Sequence, residues 1–274
     1  MKRIIIILTI IISSINSVFA EKILIPMDLA QSDHLKAYGI VYWTLKLPQN
    51  VDWLLNYRGG SFLTDYRDDM VAELRIRGVS FEVLSDGDAN GILTMIKGEN
   101  VNMDDVLLEK APKIAVYVAP GNKPWDDAVR LVLEYAEIPY DMVWDEEVMR
   151  GDLKKYDWLH LHHEDFTGQY GKFWANYQNQ PWYIQQVILN ENMASKLGFA
   201  KVSDMKKAVV LKMKEFVANG GYMFGMCSAT DTWDIALAAL NTDICFDMFD
   251  GDPADPQANS KLDFSQTLVF ENFH

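Results

Sequence analysis

The run Gly221-Tyr222-Met223-Phe224-Gly225-Met226-Cys227-Ser228-Ala229-Thr230 has the composition that nucleophilic chemistry asks for. An apolar strand, Tyr222 to Met226, feeds Gly-x-Cys-x-Ala and then a helix beginning at Ser228 or Thr230 and running to Leu240. Small residues two before and two after a nucleophile let the backbone bend sharply and leave the side chain exposed, the form of a nucleophile elbow. The positive end of the following helix favours thiolate over thiol. Cys227 is the expected nucleophile, with Ser228 and Gly225 supplying backbone groups for an oxyanion. A buried structural cysteine at a strand end is the competing reading.

A second group of candidates lies in Trp158-Leu159-His160-Leu161-His162-His163-Glu164-Asp165-Phe166. On a strand, His160 and His162 share a face, and His163, Glu164 and Asp165 leave at its end. Ligands and catalytic groups collect at the carboxyl ends of parallel strands. His163 and Glu164 are therefore expected to serve Cys227. His162, Asp165, Gly121 and Thr230 are expected to line the same pocket. Two other readings stay open: a divalent metal held by His160, His162 and Glu164, and histidines that only pack and cap.

Weaker signals are read structurally. Arg58-Gly59-Gly60-Ser61 lacks the continuation of a phosphate-binding loop and reads as a turn. Asp247, Asp250, Asp252 and Asp255 lack calcium-loop spacing and read as a solvated acidic loop. Tyr170, Phe173, Trp174, Tyr177, Trp182 and Tyr183 form an aromatic insertion, read as packing or as a lid over a sugar or peptide. Whether Cys227 pairs with Cys245 is open.

These residues need a frame, and the chain supplies alternating strands and helices. Strands are expected at Lys22 to Met27, Val51 to Asn56 and Val79 to Leu84, with helices at His34 to Leu47 and Asp65 to Arg77. Gly91 to Lys110 reads as polar and helix-prone. The pattern then restarts with strands at Lys113 to Val118, Tyr140 to Trp144 and Asp157 to His162, and helices at Pro124 to Glu137, Glu146 to Leu153 and Val202 to Ala218. Leu268 to Phe273 reads as the start of a strand. The alternation predicts an α/β fold of parallel sheets covered by helices on both faces, Rossmann- or flavodoxin-like.

The first twenty residues read as an export signal. Lys2 and Arg3 precede the apolar run Ile4 to Ile12, and Val18-Phe19-Ala20 suits cleavage after Ala20. That run is too short to span a bilayer, which needs about 20 apolar residues. A periplasmic protein with no membrane anchor is expected. Three segments follow: signal 1–20, a first half 21–110 and a second half 111–274. The net charge of −14 becomes −16 when Lys2 and Arg3 leave, which argues against nucleic acid as a partner. A small-molecule or cell-envelope substrate is expected, with no cofactor.

The Cys227 segment resembles the class I glutamine amidotransferases, whose elbow reads Gly-x-Cys-x-Gly; Ala229 stands at the second glycine. The resemblance implies an amidotransferase-like second half and a nucleophilic Cys227. It also implies a late His-x-Glu pair, whereas the only histidine after Cys227 is His274, and glycines near Glu164, where the first is Gly168. Further stretches, Lys22-Ile23-Leu24-Ile25-Pro26-Met27-Asp28, His34-Leu35-Lys36-Ala37-Tyr38-Gly39 and Asp52 through Phe62, resemble exported bacterial proteins labelled asparagine synthetase B. Members of that family are longer, so a chain incomplete at its C-terminus is expected. The ATP-dependent mechanism in that label needs an N-terminal catalytic cysteine and a Ser-Gly-Gly-x-Asp-Ser loop, and this sequence has neither. The expectation is cysteine-dependent chemistry at an amide or related carbonyl. The alternatives are a non-catalytic binding or scaffold module and a metal-dependent hydrolase.

Overall fold

The computed structural model describes residues 21–123 and 127–274. The export signal read in residues 1–20 lies outside them, as does the start of the helix expected from Pro124. The chain forms two compact units. Of the described residues, one comprises 21–111 with Tyr135–Ile138, the other 112–123 and 127–134 with Pro139–His274. No helix among the described residues is long and apolar enough to cross a membrane.

The first unit contains β1 (Glu21–Ile25), α1 (His34–Leu45), β2 (Val51–Leu55), β3 (Ser61–Asp65), α2 (Asp68–Ile76), β4 (Glu82–Ser85), α3 (Asp86–Ile96) and β5 (Asp104–Leu108). Its sheet has the order β4-β1-β3-β2-β5, and every pair is antiparallel. This corrects the expected parallel, Rossmann- or flavodoxin-like arrangement. β1 and β2 do point the same way, joined by α1, but β3 is inserted between them. The segment after β2 is too short for a crossover helix, so the chain reverses and pairs antiparallel. Asn56, Arg58, Gly59 and Gly60 take positive φ to make that reversal. A Cβ at Gly59 would meet the Met27 carbonyl oxygen at 2.3 Å, so only glycine fits there. Arg58 is tied to Asp28 at 2.8 Å and Glu82 at 2.7 Å, so this loop is a braced turn.

Period-two alternation divides the two faces of this sheet. Ile23, Ile25, Val51 and Phe62 pack under α1 and α2, with Ile40, Met70 and Leu74. Leu24, Leu54 and Leu63 pack on the opposite face against Ala89 and Ile96 of α3. Both faces are covered, which is why Ile23, Leu24 and Ile25 are all buried although they point alternately to the two faces. Asp33 caps α1 by accepting from the Lys36 amide at 3.0 Å.

The second unit contains β6 (Ile114–Tyr117), α4 (Ala128–Tyr135), β7 (Tyr140–Val143), α5 (Asp145–Arg150), β8 (Trp158–Leu161), α6 (Gly171–Tyr177), α7 (Pro181–Lys196), α8 (Val202–Ala218), β9 (Tyr222–Gly225), α9 (Ala229–Ala238), α10 (Asp247–Asp250) and α11 (Ala258–Lys261). Its four strands are parallel in the order β7-β6-β8-β9. Ala115, Tyr117, Leu159 and Leu161 face α5, α8 and α9, where Val148, Val209, Val210, Met213, Trp233 and Leu237 complete the core. The buried Val, Leu and Met side chains among them each contribute roughly 1.5–3 kcal/mol by leaving water. At β9 the opposite face is open: Tyr222 is 59% exposed and Phe224 43%.

The expected strand at Leu268 to Phe273 is absent. The amides of Leu268, Val269 and Phe270 instead donate to the buried Asp234 carboxylate of α9, at 2.9, 2.8 and 2.7 Å. The aromatic insertion becomes α6 and the start of α7.

Candidate active site

Strand order in the second unit reverses between β6 and β8, and crevices open at the carboxyl ends of strands at such points. The candidate residues gather there and at the adjacent end of β9. Gly225 is paired with Leu161 across β8 and β9, and the Met226 amide donates to the Leu161 carbonyl at 3.0 Å. The next residue, Cys227, is exposed and takes φ +53°. A non-glycine residue in this left-handed region carries strain of roughly 1 kcal/mol or more, and such strain clusters at functional sites. The Thr230 amide and hydroxyl donate to the Cys227 carbonyl at 3.2 and 2.6 Å, closing the turn into α9. Ala229 is buried at the start of the helix. Gly225 is less constrained, since an added Cβ would meet its nearest neighbour at an ordinary 3.8 Å.

The loop after β8 is fastened to this elbow. Ser228 Oγ donates to the His163 carbonyl at 2.9 Å. Thr232 Oγ1 sits between the carbonyls of Glu164, at 3.0 Å, and Ser228, at 2.7 Å. The Glu164 carboxylate turns back to accept the His162 amide at 2.7 Å. Burial pushes the Glu164 carboxyl up to about 7, with Asp127 adding to the rise and backbone donors and Lys206 opposing it. Glu164 therefore exchanges its proton near neutrality, the condition for general acid–base work.

His162 Nδ1 lies 3.3 Å from Asp127 Oδ1 and 3.1 Å from His163 Nδ1. Asp127 thus orients the first imidazole of the loop, and only one of the two facing nitrogens carries a hydrogen. His160 is different. It is buried and stacked on Phe224 with ring centroids 5.8 Å apart, and neither ring nitrogen has a partner. Burial lowers its pKa to about 4, so it is neutral at physiological pH.

The structure sorts the other expected residues. Asp165 accepts from the Thr167 amide and hydroxyl at 2.7 and 2.5 Å, which turns it into its own loop rather than the pocket. Gly121 is a left-handed turn residue after β6 with open space around it. Gly168 is left-handed as well, and an added Cβ would meet the Ser203 backbone at 2.9 Å, so it serves close packing. His160, His162 and Glu164 do not converge as a ligand set. Among the described residues, ligand atoms cluster for a metal only at Asp243, Asp250 and Asp252. There Lys201 Nζ stands 2.9, 3.2 and 2.5 Å from the three carboxylates. Asp255 pairs with Lys261, so the acidic loop is braced by lysines.

Two contributors escaped the sequence reading. Asp127 carried only the signal of an acid in a first helical turn. Thr232, which ties the two loops, carried none. No protein-family model, curated protein or solved structure matched the chain.

Proposed function

We propose that this protein performs cysteine-dependent acyl chemistry of the amidotransferase kind, hydrolysing or transferring an amide or related carbonyl group outside the cytoplasm. The observation that carries this reading is Cys227: exposed, held at left-handed φ between a parallel strand and a helix, and joined through Ser228 and Thr232 to a loop whose Glu164 carboxyl is pushed up to about 7. The Cys227 thiolate attacks the carbonyl carbon and forms an S–C bond. The C–N bond breaks, and the leaving amine takes a proton from the Glu164 carboxylic acid. Water or an acceptor amine, giving a proton back to the Glu164 carboxylate, then attacks the thioester and releases Sγ as thiolate. The Ser228 amide, at the start of α9, supplies one donor to the oxyanion. An ordinary glutamate near 4.3 would lie about 4 pH units below an ordinary thiol near 8.5. Burial brings the Glu164 carboxyl up to about 7, nearer the range of thiols than an ordinary glutamate. The export assignment rests on the twenty N-terminal residues.

Iodoacetamide labelling of Cys227 across pH tests this reading. An activated site reacts with half-maximal rate well below 8.5. Reactivity rising only at or above that value overturns it. The exposed Tyr222 and Phe224 beside the elbow favour a second reading, a binding module without catalysis. In that case Cys227→Ala keeps full ligand affinity and no turnover is found for either protein.

A further inference from the structure

A second set of ionisable groups is buried in the same unit, and acyl chemistry at Cys227 does not itself require it. Tyr117 ends β6, Asp145 opens α5 and Lys206 is the fifth residue of α8; all three are buried. Lys206 Nζ donates to the two Asp145 carboxylate oxygens at 2.7 and 2.9 Å and to the Tyr117 hydroxyl at 3.0 Å. Tyr117 in turn donates to Asp145. Lys206 also stands over the rings of Tyr117 and Trp144, at 5.6 and 5.4 Å. Desolvating such a pair is costly, and apolar groups of similar volume are often as stabilising or more. Stability alone gives little reason for this arrangement.

Its position supplies a reason. The Tyr117 ring packs on Phe166 with centroids 5.4 Å apart. Phe166 is fully buried and follows Glu164 by two residues in the loop that Ser228 and Thr232 fasten to the elbow. The ion pair fixes the tyrosine hydroxyl, and the tyrosine ring fixes the loop. Lys206 is also the cation that opposes burial at the Glu164 carboxyl. We propose that Lys206, held by Asp145 and Tyr117, is a positioning residue that pins the Glu164 loop through Phe166 and presents a positive charge to its carboxyl. This rests on the reading of Glu164 as the proton-exchanging group. The groups that act on that carboxyl are Tyr117 from β6, Asp127 ahead of α4, Lys206 from α8 and the backbone amides of His162 and Glu164 in its own loop.

The test is the pH dependence of Cys227 alkylation in the full chain. Wild type shows an inflection near pH 7 that Glu164→Gln removes. The charge-balanced double variant Lys206→Met/Asp145→Asn, with its thermal stability measured as a check on folding, moves that inflection up by at least about half a pH unit. The same pair of changes has no effect in a Glu164→Gln background. Phe166→Leu, a milder change should the double variant fold poorly, moves the inflection the other way as water reaches the carboxyl. A merely structural triad lowers stability but leaves the inflection of the double variant in place, and that result overturns the proposal. Absence of any Glu164-dependent inflection in wild type removes the underlying reading together with this one.

Discussion

The two cysteines of the second unit face opposite conditions. Cys227 is exposed on a left-handed backbone at a strand-to-helix turn. Cys245 is 1% exposed, with its sulfur 3.7 Å from the Gly168 carbonyl oxygen, and burial beside Asp250 and Asp243 pushes its thiol up to about 12. Both are free thiols. The same side chain is thus placed for reaction in one case and withdrawn from it in the other. Backbone conformation and solvent access make the difference, because the thiolate is the reacting species.

The largest expected consequence is kinetic. A thiol at 12 holds roughly 10³-fold less thiolate at neutral pH than an ordinary one near 8.5. Iodoacetamide should therefore modify Cys227 at least ~10³-fold faster than Cys245, read by peptide mass spectrometry. Comparable rates would erase the contrast. Next in size is a pH-dependent stability. Native Glu164 keeps its proton to about 7 while an unfolded glutamate releases it near 4.5. The folded state binds the extra proton between those values, so stability declines as pH rises from 4.5 through 7, by at most about 3 kcal/mol. Denaturant titrations of Glu164→Gln should show that slope flattened; an unchanged slope would place the carboxyl in water.

A third change attacks the protected cysteine. Gly168→Ala adds a methyl group against the Ser203 backbone at positive φ. It should cost about 1–3 kcal/mol and raise the labelling rate of Cys245 by loosening its cover. Wild-type stability in this variant would show that the loop has room to move. The smallest effect has the opposite sign. Cys227→Gly relieves left-handed strain and should stabilise by about 1 kcal/mol, raising the Tm by roughly 2–4 °C while abolishing fast labelling. A stability loss would mean the elbow is unstrained.

Legibility in the sequence followed the range of the interactions. β6, β8 and β9 were readable because parallel strands packed by helices form short apolar runs. The elbow was readable because it is local: strand, small residues, cysteine and helix occupy ten consecutive positions. β3 was not, because Ser61–Asp65 lies between a glycine turn and a charged helix and offers no alternation of its own. β5 was hidden for a similar reason, as Asp104–Leu108 passes from acidic to apolar without a period. Missing these two strands turned an antiparallel sheet into an expected parallel one. Asp145 and Lys206 are 61 positions apart and meet only through the fold. The alternation put His160 on one face with His162, but the partner that fixes it in the packing, Phe224, comes from another strand.

The clasp of Asp234 on Leu268, Val269 and Phe270 has a mechanical meaning for the elbow. Three successive amides form a small nest that would suit an external anion, and the protein fills it with its own carboxylate. α9 begins at Ala229, directly behind Cys227, so any swing of that helix must stretch three charge-assisted bonds at once. The brace narrows the ensemble of orientations in which the thiol is presented; under the proposed function, the entropy of aligning it is spent during folding rather than at each encounter with substrate. Hydrogen-exchange protection at those three amides, on side chains that face solvent, measures how stiff that mounting is.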